Sequence, residues 1–274
     1  MLQKPLFEKP HNINTFIFDL DGTLLNDDHD ISDATVHTIN ELRERGFNLV
    51  IATGRHINDI RCYLEQLGSG ISAITCNGAN IHDHNGELIY REGLQEEFVK
   101  SLIPLGNRFA IHTNIYTDSE WLVSEQCESI LLPHVKAKFF YKQIDHSEML
   151  NADALKIIFY GDNLLLQALK QEIDLEHKSL VNITFSDARY LEIMRKNISK
   201  GHALKFLLDK LALSPSQSIA FGDGMNDVEL LNTVAHPVTM GNSSTVLLAL
   251  FPQAHRAETN HADGVARFLR EHLL

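Results

Sequence analysis

Hydrophobic and polar positions follow two different periods along this chain. From Ile13 to Phe18 the run is mostly apolar and β-branched, as in a strand buried on both faces. Ser32 then offers a helix cap, Val36, Ile39 and Leu42 recur at helical spacing, and Gly46 stops the pattern. Phe47 to Ala52 reads as a second buried strand, Asn58 to Leu67 as a helix, and Ala73 to Cys76 as a third strand ending in Asn77-Gly78-Ala79. Alternating strands and helices predict a parallel α/β sheet.

From about Ile81 the texture changes. Hairpin-like pairs occur at Phe109 to Tyr116 and Trp121 to Ser124, around Thr117-Asp118-Ser119-Glu120. Further strands are predicted at Leu155 to Tyr160, Val181 to Ser186 and Tyr190 to Met194, with a helix from Leu164 to Leu175. Helical spacing returns at Leu204, Leu207, Leu208 and Leu211, followed by the turn Ser214-Pro215-Ser216 and strands at Ser218 to Phe221 and Val238 to Met240. A terminal helix is predicted around Asp263 to Leu273. The expected architecture is a Rossmann-like parallel-sheet core, residues 1–82 and 195–274, interrupted by an α+β insert, residues 83–194. No internal repeat or low-complexity segment is present.

The chemistry concentrates in two acidic segments, Asp19-Leu20-Asp21-Gly22-Thr23 and Gly222-Asp223-Gly224-Met225-Asn226-Asp227. Each follows an apolar β-type run, so both can reach the carboxyl edge of one parallel sheet, where open α/β sheets bind ligands. Converging carboxylates repel by roughly 4 kcal/mol per pair at ~4 Å and an effective dielectric near 20, so the cluster needs a cation. All-oxygen ligation without His or Cys points to a hard ion, and few ligands with room for water and phosphate favour Mg²⁺. A calcium loop does not fit, because counting from Asp19 puts Leu24 where the loop needs Gly, and counting from Asp223 puts Met225 at a ligand position.

Bulk properties narrow the partners. With 24 basic and 36 acidic residues the net charge is −12, which opposes binding to nucleic acid or anionic membranes. The 274 residues, 44% of them hydrophobic, suffice for one large or two smaller domains. Cys62, Cys76 and Cys127 are too widely spaced for a redox or zinc pair. Met1 to Asn14 has no signal-peptide core and no stretch is long and apolar enough to span a bilayer, so a cytoplasmic location is expected. His82-Asp83-His84 precedes the turn signal Asn85-Gly86, which places these histidines on an exposed loop rather than around zinc.

Hydrolysis of a phosphate monoester is very slow without catalysis and benefits from a covalent step. Asp19, at a strand end, can attack phosphorus, and Asp21, two residues on in an extended segment, faces the same way to protonate the leaving oxygen. Asp19, the Asp21 carbonyl and Asp223 would hold Mg²⁺, with Asn226 and Asp227 orienting its surroundings. The Thr53 hydroxyl and Gly54 N–H at a strand-to-helix junction, and Lys200 before a helix, are candidate phosphate donors. GxxxxGK[ST], GxSxG and GxGxxG patterns are all missing, which removes nucleotide-loop and serine-hydrolase readings.

The motifs in order, DLDGT at Asp19, ATGR at Thr53, SKG at Lys200 and GDGMND at Asp223, resemble those of the haloacid dehalogenase superfamily of phosphatases. The long insert is similar to the large class 2 cap of Cof-type bacterial members. This resemblance implies Asp19 as nucleophile, Asp21 as acid/base, Asp19, Asp21 and Asp223 as Mg²⁺ ligands, and Asp227 behind them. Leu20, Thr53, Gly54, Lys200 and Asn226 match phosphate-contacting positions. Asn197-Ile198 departs from the Gly-Val often found before this motif and could alter a hinge. The implied substrate is a small phosphorylated metabolite such as a sugar phosphate. Ala52 to His56, Thr113 to Trp121 and Leu191 to Gly201 also resemble bacterial pyridoxal 5′-phosphate phosphatases. A phosphomutase or phosphotransferase would use the same intermediate, and a non-catalytic regulatory module remains a different class of answer.

One specificity expectation comes from the insert. Ile111, Thr113 and Ile115 alternate with His112, Asn114 and Tyr116, so the second set is expected to face outward, into solvent or over the catalytic edge, and to read the leaving group.

Overall fold

The computed structural model describes residues 12–131, 134–177 and 179–274, so most of the amino-terminal segment read above lies outside the described residues. The chain divides into two compact units. The first contains the described residues up to Arg55 together with Tyr63–Ile89 and Ser199–Leu274, and the second contains His56–Cys62 and Tyr90–Ile198. No described helix is long and apolar enough to cross a membrane.

Strands β1 (Thr15–Phe18), β2 (Asn48–Ala52) and β3 (Ile71–Thr75) are connected by helices α1 (Asp33–Glu44) and α2 (Ile57–Leu67). Ser32 caps α1 by accepting from the Thr35 N–H, and Gly46, at φ 81°, ends the connection in a conformation that suits glycine. A hairpin of β4 (Asn80–His82) and β5 (Leu88–Arg91) follows β3. After the insert the unit resumes with α6 (Lys200–Lys210), β12 (Ser218–Gly222), α7 (Val228–Thr233), β13 (His236–Thr239), α8 (Thr245–Leu250), β14 (His255–Arg256) and α9 (Gly264–His272), numbered along the whole chain.

The sheet runs β14-β13-β12-β1-β2-β3-β4-β5. It is parallel from β14 to β3, and every residue of β1 and β12 is buried, as strands covered on both faces must be. The direction of winding reverses between β1 and β12, the switch point at which such sheets bind ligands.

In the second unit, α3 (Glu96–Arg108), β6 (His112–Tyr116), β7 (Trp121–Val123), β8 (Lys142–Gln143), α4 (His146–Leu150), β9 (Lys156–Tyr160), α5 (Asn163–His177), β10 (Val181–Asp187) and β11 (Tyr190–Arg195) form a sheet ordered β10-β11-β9-β6-β7-β8. All pairs are antiparallel except β7 with β8. Ile115, Phe159 and Ile193 pack with Leu102, Ile103 and Leu169 of the helices. On the other side Tyr116, Trp121, Ile158 and Tyr160 pack with Ile130 and Phe139.

Three expectations shift. The units change over at Ile89/Tyr90 rather than after residue 82, because the hairpin return strand β5 joins the core sheet. They change again at Ile198/Ser199 rather than after residue 194, because Lys196 N–H donates to Leu180 O and Asn182 donates to Ile198 O, tying 195–198 to the insert. Of the two loop histidines only His84 is exposed, while His82 is buried at the end of β4 and the turn belongs to Asp83, whose carboxylate accepts from Asn85 N–H and Glu87 N–H. Asn197 sits at φ 68°, a left-handed conformation that asparagine tolerates better than most residues, which accounts for the residue type at this position.

Candidate active site

Register decides where the acidic segments meet. Phe18 lies opposite Phe221 across β1 and β12, and the Asp19 N–H extends the ladder by donating to Phe221 O at 3.0 Å. Asp19 therefore emerges beside Gly222-Asp223, although 204 positions separate the two aspartates. Lys200, the first residue of α6, sends its ammonium between Asp19 and Asp227, with Nζ 2.6 Å from Asp19 Oδ1 and 2.7 Å from Asp227 Oδ1. It is 1% exposed. Asp227 Oδ2 accepts from the Asp223 and Gly224 N–H groups at 3.0 and 2.9 Å, so both of its oxygens are engaged by the protein. Gly222 makes this possible, because a Cβ there would lie 2.7 Å from that of Asp227.

Charge in this site does not balance. Asp19, Asp223 and Asp227 each bring an oxygen within 4.8 Å of the others, and one buried ammonium serves them. Burial pushes the Asp19 carboxyl well above its usual range, and the Asp227 charge adds to this against the attraction of Lys200. Asp223 is pushed up to about 6, first by burial and then by Asp227, while the Thr23 hydroxyl donating to its Oδ1 at 3.2 Å pulls the other way. Burial opposes the Lys200 charge, yet the carboxylates of Asp19 and Asp227 outweigh it and raise the ammonium pKa. Excess negative charge with only oxygen donors fits a hard divalent cation. Asp227 is already committed, which leaves Asp19 and Asp223 as the side chains with capacity to hold one.

Asp21 differs from the expectation of an aligned pair. The chain leaves β1 after Phe18 and turns through Gly22 at φ 78°, so Asp19 is buried and Asp21 is exposed. The Asp21 carboxylate makes a two-pronged ion pair with Arg55, Oδ2–Nε at 2.8 Å and Oδ1–Nη2 at 2.6 Å. Its side chain is outside the carboxylate group, and only its main-chain carbonyl remains as a candidate metal ligand. A Cβ at Gly22 would fall 2.3 Å from Asp223 Oδ2, so glycine admits the second segment here. Thr53 is buried and its hydroxyl accepts from the Arg55 N–H. The Leu20 side chain is buried, so only its main chain could meet a ligand, and Asn226 is exposed with its amide donating to Asn77 Oδ1 at 3.1 Å.

The family model of haloacid dehalogenase-like hydrolases matches residues 16–269. The chain belongs to that family. Its curated relatives include a Haemophilus influenzae protein named "Putative phosphatase", 33% identical over 258 residues that cover 93% of this chain and 94% of the relative. Among solved structures, a haloacid dehalogenase-like hydrolase from Bacteroides thetaiotaomicron superposes with a TM-score of 0.88 at 24% identity, over 94% of this chain and 99% of the other. A Thermotoga maritima protein gives 0.85 at 26% identity, over 94% and 97%.

Two side chains of this hydrolase's site were not assigned a role from the sequence, Arg55 inside a motif and Asn242 outside any. Arg55 ends the ATGR segment but nothing local tells that it pairs Asp21. Asn242 donates to the Gly22 carbonyl at 2.8 Å and to Asp223 Oδ2 at 3.4 Å, and its own Oδ1 accepts from Asn260 N–H. The available signal was positional, since Asn242 follows β13, a strand of the same sheet, at its carboxyl end.

His112, Asn114 and Tyr116 are corrected by the structure. The two faces of β6 alternate as expected, but the outward one is covered by Trp121, Ile130 and Phe139, and all three side chains are buried. His112 Nε2–H donates to Glu125 O, Trp121 Nε1–H donates to Asn114 Oδ1 at 2.9 Å, and the Asn114 amide donates to Ile158 O and His112 Nδ1. Tyr116 stacks on Trp121 at 5.6 Å. His112 and Asn114 are thus hydrogen-bonded, and the Tyr116 ring packed, inside their own unit rather than facing outward.

Proposed function

We propose that this hydrolase is a Mg²⁺-dependent phosphatase of small phosphate monoesters, acting through an aspartyl-phosphate on Asp19, with the inserted unit as its specificity domain. The observation that carries this reading is the buried Lys200 wedged between Asp19 and Asp227 with Asp223 alongside, which leaves a charge deficit at a sheet switch point. A divalent ion held by Asp19, Asp223 and the Asp21 carbonyl would offset the repulsion between carboxylates and phosphate. The relative named a phosphatase supports the reaction class.

Asp19 Oδ attacks phosphorus and the ester P–O bond breaks, with the leaving oxygen taking a proton from Asp21 once that carboxyl group has left its Arg55 pair and become protonated. Water then attacks the phosphoryl group, Asp21 receives its proton, and phosphate leaves as the Asp19 carboxylate is restored. Lys200 holds Asp19 in place and spreads positive charge over the phosphoryl oxygens. The Leu20 and Gly54 main chain, the Thr53 hydroxyl and the Asn226 amide complete the phosphate cradle. Asp227 fixes Lys200 and, by accepting from two N–H groups, the loop that carries Asp223.

The substrates proposed are sugar phosphates or pyridoxal 5′-phosphate. Phosphate release from a panel of such esters, measured with Mg²⁺, after chelation and after Mg²⁺ is restored, tests both parts. Activity lost and regained with the ion is the expected result. No release from any ester by the loaded enzyme would reject the phosphatase, and full activity in metal-free enzyme would reject the metal.

A further inference from the structure

The turn after β3 touches three of the four motif segments, at Thr53–Arg55, Ser199 and Asn226. Cys76, Asn77 and Gly78 are all left-handed, at φ 48°, 53° and 105°, a run that two non-glycine residues hold only when their surroundings compel it. Those surroundings are the motif segments themselves. Cys76 N–H donates to Arg55 O and Asn77 N–H to Thr53 O, each at 2.9 Å, which pins the backbone of Thr53-Gly54-Arg55. The Asn77 amide is packed so closely on Gly54 that a Cβ there would lie 3.1 Å from Asn77 Oδ1, and the same oxygen accepts from Asn226 Nδ2 at 3.1 Å. A Cβ on Gly78 would come within 2.3 Å of the Ser199 carbonyl, next to Lys200.

We propose that Asn77 is a positioning residue for phosphate binding, holding the Asn226 amide and the Gly54 main chain at the spacing that receives one phosphoryl group. This rests on the phosphatase reading, in which Asn226 and Gly54 contact phosphate. The local geometry explains the residue type: the side chain must reach two segments, offer an acceptor to Asn226, and tolerate a left-handed backbone. Asn77→Gly is the informative variant, because glycine keeps that backbone at no steric cost while deleting the amide.

The test is a double-mutant cycle of Asn77→Gly and Asn226→Ala, read by calorimetric binding of inorganic phosphate in the presence of Mg²⁺ and by kcat and KM for an aryl phosphate. Each single variant is expected to weaken phosphate binding about tenfold, and the double variant by little more than either alone, because the first substitution already releases what the second removes. Thermal midpoints within a few degrees of the wild type keep the comparison free of unfolding, and Asn77→Ser serves in the same cycle if the glycine variant falls outside that range. Wild-type phosphate affinity in the Asn77 variant, or fully additive losses, would overturn the proposal. If the wild type binds phosphate yet hydrolyses no ester, the phosphatase reading fails while the positioning role is still judged by affinity. Absence of phosphate binding by the wild type would sink both.

Discussion

Polar groups are buried in both units, at the β1–β12 edge of one and beneath β6 of the other, and their condition differs. Under β6, His112, Asn114 and Trp121 satisfy one another and the nearby main chain. At the β1–β12 edge, three carboxylates share one ammonium, and two of them, Asp19 and Asp223, have their pKa values raised. A satisfied network holds structure together, whereas a charge deficit in a buried site implies a group that arrives from outside.

The comparison breaks most sharply at Asp19. Asp19→Asn is expected to lower phosphate release by at least about a thousandfold, because it removes the nucleophile while nearly preserving shape. Near-normal turnover in a folded and uncontaminated sample would remove Asp19 from that role.

Lys200→Met should be the most costly of these changes for stability. It leaves Asp19 and Asp227 buried without their counter-ion, a loss of about 3–5 kcal/mol in denaturant unfolding, and Asp227→Asn added to it should recover part of that loss. An unchanged unfolding midpoint would mean that the carboxylates are not charged in the folded protein.

His56 sharpens the contrast by pH. The ring is 2% exposed, stacks on Phe139 at 4.7 Å, donates from Nε2 to Thr117 O, and accepts at Nδ1 from Asn58 N–H. Burial brings its pKa from 6.5 down to about 4, so between these values the unfolded chain binds the proton more readily than the folded one. The contribution of His56 is thus fully present above about pH 6.5 and is lost as pH falls to about 4, amounting to about 3 kcal/mol over the window. Unfolding free energies at pH 7 and pH 4.5 for the wild type and His56→Gln measure it, and an equal fall in both proteins would assign the effect elsewhere.

Asn114→Ala is the mildest case. The variant strands the Trp121 N–H and should cost about 2 kcal/mol of stability while leaving the ratio of kcat/KM between two esters unchanged. A marked shift in that ratio would return the β6 side chains to substrate reading.

These differences mirror what was legible beforehand. Apolar runs such as Thr15–Phe18 and Ser218–Gly222 declare themselves locally, and the carboxylate-rich segment after each marks a strand end with chemistry. The alternation of β6 was equally legible, since a strand's two faces follow from its backbone. Exposure of the second face was not, because the residues that cover it, Ile130 and Phe139, lie on a segment with little regular structure and no periodic pattern.

Residue order alone determined the alternation of strands and helices, the interruption of the first unit by an α+β segment, and the four motifs that carry the family, because each depends on short-range spacing and backbone preference. Tertiary structure alone decided that β12 pairs with β1 and so brings Asp223 to Asp19, that Arg55 takes the Asp21 carboxylate, that Lys200 consumes one oxygen of Asp227, and that Asn77 and Asn242 join the site. Those are contacts between residues 27 to 220 positions apart, and which partner each charge or amide finds is settled by sheet register and by competition for buried space rather than by its neighbours in the chain.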